Sequence, residues 1–102
     1  MAYIAVVTTV GTHAQAQAMA RTLVERKLAA CAQLTDIESF YVWDGALQNE
    51  RECRILLKTR AECYPAIEAA IRELHTYELP AILALPIEHI YPPYAQWIDD
   101  NT

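Results

Sequence analysis

The chain has 102 residues and a formal net charge of −5 at pH 7, and this acidity disfavours nucleic acid as a partner because backbone binding relies on clustered Lys and Arg. Its hydrophobic content of 54% excludes a disordered chain, and its longest apolar run, residues 79–87, is far shorter than the roughly 20 residues of a bilayer span. We therefore expect residues 1–102 to form a single domain with no membrane partner and a core that needs no metal or disulfide.

The first predicted elements are a strand and a helix. Tyr3 to Val10 is uncharged and rich in β-branched residues, which is typical of a strand inside a sheet. After Gly11, Thr12 and Gln15 have the form of a capping box, so the first helix should begin at about residue 13. Apolar residues then recur at helical spacing and predict a stripe that packs on the sheet: Ala16, Met19, Ala20, Leu23 and Val24.

A long hairpin follows the first helix. From about residue 30 the pattern has a period of two, with aromatic side chains on both faces. Asp44-Gly45 is a strong signal for a tight turn, and a return strand follows it. Both strands should reach about ten residues or more, beyond the usual five or six. Arms of this length leave pairing edges open, which predicts association between subunits.

The second helix has a less certain start. Thr59 and Glu62 repeat the capping-box form, but Pro65 suits only a first helical turn, so the helix should begin somewhere within residues 60–65. Its apolar residues again form one stripe: Tyr64, Ile67, Ala70, Ile71 and Leu74.

The last elements are a strand and a short helix. Residues 81–85 have the pattern of a central strand that Pro86 closes, because proline cannot donate to a ladder. Pro92-Pro93 then opens the terminal helix. The order β-α-β-β-α-β plus a helix predicts an α+β, ferredoxin-like fold with an antiparallel sheet. Right-handed crossovers place the first and third strands together at the centre, with both long helices on one face.

The segment between the second helix and the last strand carries the main candidate site. His75, Tyr77 and Glu78 crowd a short connection, and neutral imidazole and carboxylate are ligands for zinc or copper. The alternative is structural, with His75 ending the helix and Tyr77 anchoring a subunit contact. Cys31 could act with His75 as nucleophile and base, or it could be a small buried hydrophobe.

Other features carry weaker signals. Trp43, beside the tight turn, could stack on a ligand or fill a subunit contact. His13 and His89 are predicted to be solvated surface residues. No Gly-rich phosphate loop, HExxH or GxSxG motif is present, and residues 10–13 do not form the phosphate cradle of an acylphosphatase-like hydrolase. We therefore expect a protein that is not an enzyme.

The cellular location is predicted from the cysteines and the first residues. Cys31, Cys53 and Cys63 are odd in number and lack CxxC spacing, so we expect reduced thiols rather than a disulfide framework or a zinc knuckle. The first residues lack the basic region and the cleavage site of a signal peptide. Both observations favour the cytoplasm.

Six short motifs, in this order and at these separations, resemble the CutA family of divalent-cation tolerance proteins. They are Lys27-Leu28-Ala29-Ala30-Cys31, Tyr41-Val42-Trp43-Asp44-Gly45, Leu57-Lys58-Thr59-Arg60, His75-Thr76-Tyr77-Glu78-Leu79-Pro80, Leu85-Pro86-Ile87 and Tyr94-Ala95-Gln96-Trp97-Ile98. The resemblance spans nearly the whole chain. It implies a ferredoxin-like subunit in a stable homotrimer, with long hairpins packed across subunits and a role in tolerance of copper and other divalent ions.

The resemblance also bears on the metal site. Copper ligands in this family are a cysteine on the first strand and a pair of histidines, and these positions fall on Thr8 and on Leu74-His75 in this chain. Because a hydroxyl is a poor ligand for soft metals and Leu is none, a copper or zinc site would have to be built from His75, Glu78 and Cys31, near a subunit boundary.

A second hypothesis is a sensor similar to the PII-like signalling proteins. Such a protein would hold a small anionic ligand in the cleft between subunits. The candidate lining residues are Lys58, Arg60, Tyr77, Glu78 and Trp43. The tight Asp44-Gly45 turn leaves no room for the long regulatory loop that PII proteins use.

Overall fold

The computed structural model describes residues 2–102 and has the predicted α+β, ferredoxin-like architecture. Its elements are β1 (Tyr3–Val10), α1 (His13–Glu25), β2 (Cys31–Trp43), β3 (Ala46–Arg60), a 3-10 turn (Ala61–Cys63), α2 (Tyr64–Leu74), β4 (Ile82–Ile87) and α3 (Pro92–Asp100). The strands form one antiparallel sheet in the order β2-β3-β1-β4. As predicted, β1 and β3 are neighbours at its centre.

The two long helices begin in different ways. The Thr12 hydroxyl accepts a hydrogen bond from the Gln15 amide at 3.1 Å, and the Gln15 side chain accepts one from the Thr12 amide at 3.2 Å, which confirms the first capping box. The second predicted capping box is wrong. Thr59 is the second-last residue of β3, and its hydroxyl donates to the Leu28 carbonyl at 2.7 Å instead. Helix α2 begins at Tyr64, with Pro65 in its first turn.

The main core lies between the sheet and the two long helices. Alternate residues of β1, such as Val6 and Val10, meet the apolar stripes of α1 and α2 there. Val24 was predicted to belong to the stripe of α1, but it is 38% exposed. The other face of the sheet is covered at one end by α3, where Ile98 packs near Tyr3. No helix within residues 2–102 is long and apolar enough to cross a membrane.

Strand β4 corrects one prediction, because it lies at the edge of the sheet rather than at its centre. The strand continues through Pro86, which lies opposite Ile4. An edge strand accepts proline because one of its sides has no neighbour to receive a hydrogen bond. Leu83 and Leu85, on the face that α3 leaves open, expose 47% and 51% of their surface.

The hairpin formed by β2 and β3 extends beyond the body of the domain. Its strands have 13 and 15 residues, and the molecule measures 46 × 25 × 22 Å. Asp44 and Gly45 both have positive φ, 52° and 73°, as a tight mirror-image turn requires. We call residues 38–51 the arm. Three apolar side chains on one face of the arm are strongly exposed: Phe40 by 66%, Val42 by 68% and Leu47 by 72%.

Candidate functional site

Residues 75–81 connect α2 to β4, and we call them the connection. Within it, the His75 side chain contacts the end of β1. Its Nε2 lies 2.7 Å from the Thr9 carbonyl oxygen, and its Nδ1 lies 3.0 Å from the Tyr77 amide nitrogen. Because a carbonyl can only accept and an amide N–H can only donate, Nε2 carries the proton and Nδ1 accepts. Both ring nitrogens are therefore engaged, and neither has a free lone pair for a metal.

The other predicted metal ligands do not converge on His75 within one chain. Cys31 lies opposite Lys58, which is itself paired with Ala5 on β1. Thr9, the partner of His75, is four residues further along β1, a distance of about 13 Å along the strand. A single subunit therefore does not bring Cys31 to His75, either as a metal ligand or as a nucleophile beside a base, and a site of His75, Glu78 and Cys31 at a subunit boundary stays a prediction.

Tyr77 ties the same connection to β3. Its hydroxyl donates to a Glu52 carboxylate oxygen at 2.8 Å. Burial, followed by this hydrogen bond and the negative charge of Glu52, raises the pKa of Tyr77 far above its usual range. The ring also lies close to Gly11, where an added Cβ would come within 3.4 Å of the Tyr77 hydroxyl. The phenol is therefore held in a fixed position beside the arm.

A cleft of about 550 Å³ opens between the arm and this connection. Its lining residues are Thr9, Tyr41, Val42, Trp43, Glu50, Glu52, Tyr77, Glu78, Leu79 and Ala81. We call it the acidic cleft, because three carboxylates line it and no Lys, Arg or His does. Two predicted ligand-cleft residues, Tyr77 and Trp43, are brought together here with Glu78.

The two basic candidates for the cleft lie elsewhere. The Lys58 ammonium is 3.5 Å from the Tyr94 hydroxyl and 5.5 Å from the centre of that ring. Arg60 forms a 2.7 Å ion pair with Glu62 and donates to the Thr102 hydroxyl at 2.8 Å. Both residues are at the end of β3 that packs near α3. Within one subunit these two cationic residues therefore do not line the cleft, and an anion-binding cleft between subunits stays a prediction.

The positions that the resemblance assigns to family metal ligands are part of the packed interior. Thr8 is fully buried, and its hydroxyl has no hydrogen-bond partner among the residues that the structure describes. Leu74 packs against the main core. Neither residue offers a metal ligand.

A group of possible metal ligands that the sequence did not reveal lies on the opposite side of the hairpin base. His13 begins α1, and Asp36 and Cys53 are directly paired on β2 and β3. The His13 Nδ1 atom is 3.7 Å from an Asp36 carboxylate oxygen and 3.9 Å from the Cys53 sulfur. Within residues 2–102 this is the one group of three His, Cys, Asp or Glu ligand atoms that all lie within 4.8 Å of one another.

One part of this group was accessible from the sequence. A two-residue turn at Asp44-Gly45 fixes the register of the hairpin, and that register places Asp36 opposite Cys53. The position of His13 depends on how α1 leaves β1, which no local pattern specifies. The sequence predicts His13 only as a surface residue, and its side chain is indeed 57% exposed.

The fold and these two groups of side chains define a class of protein: a small ferredoxin-like subunit with a projecting arm, a cleft lined by carboxylates and a cluster of His, Asp and Cys side chains. Residues 4–101 match the family described as CutA1 divalent ion tolerance protein. The chain therefore belongs to the CutA1 family.

Individual relatives agree with this assignment. A CutA homologue from Xenopus laevis is 42% identical over 86 residues, which are 83% of this chain and 57% of the homologue, so this chain spans little more than half of that relative. The crystal structure of CutA1 from Oryza sativa superposes with a TM-score of 0.97 at 31% identity, covering 100% of this chain and 94% of the other.

The structure of an archaeal relative also superposes closely on this chain. The periplasmic divalent cation tolerance protein CutA from Archaeoglobus fulgidus has a TM-score of 0.95 at 31% identity, with 97% of both chains covered. The two chains therefore share the same fold over almost their whole length. The compartment in its name is that of the archaeal protein.

Proposed function

We propose that this single-domain chain forms a homotrimer that takes part in divalent-cation tolerance by binding the cations directly and weakly, with no enzymatic step. The observation that carries this proposal is the acidic cleft, where Glu50, Glu52 and Glu78 meet without a basic residue. Carboxylates and a negative net charge attract cations, and oxygen ligands suit ions that keep part of their water shell.

Weak binding follows from the arrangement of the glutamates. Glu52 already accepts the Tyr77 hydroxyl, and the three carboxylates do not form a ligand group within 4.8 Å of one another. A cation would therefore be held partly through water. A neighbouring subunit at the arm would add further groups to the cleft and strengthen the site.

The proposed trimer is supported by the apolar surface that one subunit leaves exposed. The arm presents Phe40, Val42 and Leu47, and the open face of the sheet presents Leu83 and Leu85. Exposed apolar patches of this kind are typical of subunit interfaces. The three free cysteines suit a reducing compartment, and we propose the cytoplasm as its location.

The acidic lining favours a cation over the small anion of the PII-like alternative. An anion in this cleft would meet three carboxylates, while Lys58 and Arg60 are engaged near α3. Like charges in a partly buried site are repulsive. The PII-like alternative would therefore require basic groups from another subunit.

Manganese binding to the intact oligomer tests the proposal. We expect Mn²⁺ to broaden the NMR resonances of the cleft residues, and the double variant Glu50→Gln/Glu78→Gln to weaken binding at least tenfold. The control Glu25→Gln/Glu88→Gln removes the same charge from two exposed positions outside the cleft and should bind almost as well as the unmodified protein. Equal binding by both double variants would refute a site in the acidic cleft.

A further inference from the structure

The His13, Asp36 and Cys53 group combines three different ligand chemistries at one point. The thiol belongs to Cys53, which is 1% exposed, whereas the side chains of His13 and Asp36 are 57% and 82% exposed. A cavity of about 200 Å³ adjoins them, and its lining also includes Gly11, Ile37, Arg51 and Glu52. The sulfur is thus anchored in the domain, and the two outer ligands can move towards it.

The distances approach those of a tetrahedral metal site. With a metal–sulfur bond of about 2.3 Å and metal–nitrogen or metal–oxygen bonds of about 2.0 Å, neighbouring ligand atoms lie about 3.2–3.6 Å apart. The observed separations are 3.7 Å for nitrogen to oxygen and 3.9 Å for nitrogen to sulfur. The Cys53 sulfur and the Asp36 oxygen lie within 4.8 Å of each other, so a movement of the exposed His13 and Asp36 side chains towards Cys53 would complete three of four coordination positions.

We propose that His13 Nδ1, the Asp36 carboxylate and the Cys53 sulfur form a binding site for zinc-like divalent cations, separate from the acidic cleft. Sulfur and imidazole select zinc, cobalt and cadmium over magnesium, calcium and manganese, which prefer all-oxygen ligands. The adjoining cavity leaves room for water at the fourth position. Such an open position allows the ion to enter and leave, which suits a tolerance function better than a closed structural site does.

Binding requires the thiol to lose its proton. On binding, the S–H bond breaks, a metal–sulfur bond forms, and the proton passes to solvent. No electron is transferred. The metal also neutralises the charge of Asp36, and the charges of Arg51 and Glu52 at the rim of the cavity oppose each other.

Cobalt is the most informative probe, because a tetrahedral Co²⁺–thiolate site has strong visible bands and a sulfur-to-metal charge-transfer band in the near ultraviolet. We expect the intact protein, reduced with a phosphine, to develop both bands at one Co²⁺ per chain and to lose them when Zn²⁺ is added. Cys53→Ser should abolish the charge-transfer band. His13→Ala and Asp36→Asn should each weaken cobalt binding at least tenfold.

The chain provides matched controls. Cys31→Ser and Cys63→Ser remove the other two free thiols, and His89→Ala removes an exposed histidine elsewhere, so all three should keep the bands. His13 is an exposed side chain, so its removal tests the site even if Cys53→Ser unfolds the core. A charge-transfer band that persists in Cys53→Ser, or binding unchanged in His13→Ala, would overturn the proposal, as would the absence of any band in the unmodified protein.

The same experiments separate this site from the proposed function of the acidic cleft. The Glu50→Gln/Glu78→Gln variant should keep the cobalt bands while it loses Mn²⁺ binding. His13→Ala should show the reverse. Either site can therefore fail without the other.

Discussion

The exposed apolar face of the arm gives the most direct test of subunit association. Phe40, Val42 and Leu47 are 66–72% exposed in the single chain. We expect the triple variant with Thr at all three positions to dissociate the oligomer, because threonine keeps the β-strand propensity and removes most of the apolar surface. The core is not altered, since none of the three side chains reaches it.

The size of the effect follows from the exposed fractions. Full burial of a large apolar side chain is worth about 1.5–3 kcal/mol, so roughly two-thirds of that, about 1–2 kcal/mol, remains to be gained by each of the three. The sum is about 3–6 kcal/mol for each chain and about 9–18 kcal/mol for a trimer, before the cost of association. A loss of at least about 9 kcal/mol would weaken the association of three chains by roughly a millionfold.

Light scattering and sedimentation over a dilution series measure this change. The unmodified protein should have about three times the 11.5 kDa mass of one chain, and the triple variant should approach the mass of one chain at micromolar concentration. The control Val24→Thr alters an apolar residue of α1 that is 38% exposed and should leave the mass unchanged. A triple variant that stays as large as the unmodified protein on dilution would refute the argument that this face is buried between subunits.

Three further variants test local features. Gly45→Ala should lower the free energy of unfolding by about 1 kcal/mol in urea, since Gly45 has φ of +73° and nothing lies within 4 Å of an added Cβ; a much larger loss would contradict a purely backbone cost. Thr8→Val should raise the free energy of unfolding by about 1 kcal/mol, because it removes a buried hydroxyl without a partner among residues 2–102; a lower urea midpoint would show that the hydroxyl is bonded. The contribution of Tyr77, whose pKa is raised, is complete below about pH 10 and is lost as the pH rises. The difference between the urea midpoints of the unmodified protein and Tyr77→Phe should therefore be constant up to about pH 10 and narrow from about pH 10 to pH 11, and a difference that stays constant above pH 10 would contradict this linkage.

The features that the sequence predicted correctly are those encoded within a few neighbouring residues. Thr12 and Gln15 specify the start of α1 through two reciprocal hydrogen bonds, and Asp44-Gly45 specifies a turn that requires positive φ. Each of these short patterns is compatible with only one local backbone conformation. The order of the elements then followed from the predicted turns and helix starts and from the spacing of apolar residues.

The errors arose where a local pattern has two tertiary solutions. Thr59 and Glu62 fit a capping box, but a hydroxyl at the end of a strand bonds equally well to the Leu28 carbonyl across the fold. The apolar run around Leu83 fits a central strand, but it also fits an edge strand with one exposed apolar face. Sequence spacing within one chain does not distinguish these cases.

Candidate metal ligands are also hard to predict from spacing along the sequence. His75 and Glu78 are three residues apart in sequence, yet the imidazole is fully engaged in joining β1 to the connection. Cys53 and His13 are 40 residues apart and lie 3.9 Å from each other. Proximity in sequence is therefore a weak guide to which donor atoms come together, because the sheet register brings Asp36 and Cys53 side by side across two strands.

The two proposed sites differ in the hardness of their ligand atoms, and two such sites would sort cations by type. The acidic cleft offers only oxygen ligands and would hold hydrated ions weakly, whatever their identity. The Cys53 thiol instead gives up its proton only to an ion that forms a strong bond with sulfur. Zinc-like ions should therefore occupy the His13 site before the cleft, whereas Mn²⁺ should occupy the cleft alone. In a competition titration, excess Mn²⁺ should leave the cobalt–thiolate bands unchanged, and bands that fall in proportion to Mn²⁺ would show that the two sites do not discriminate.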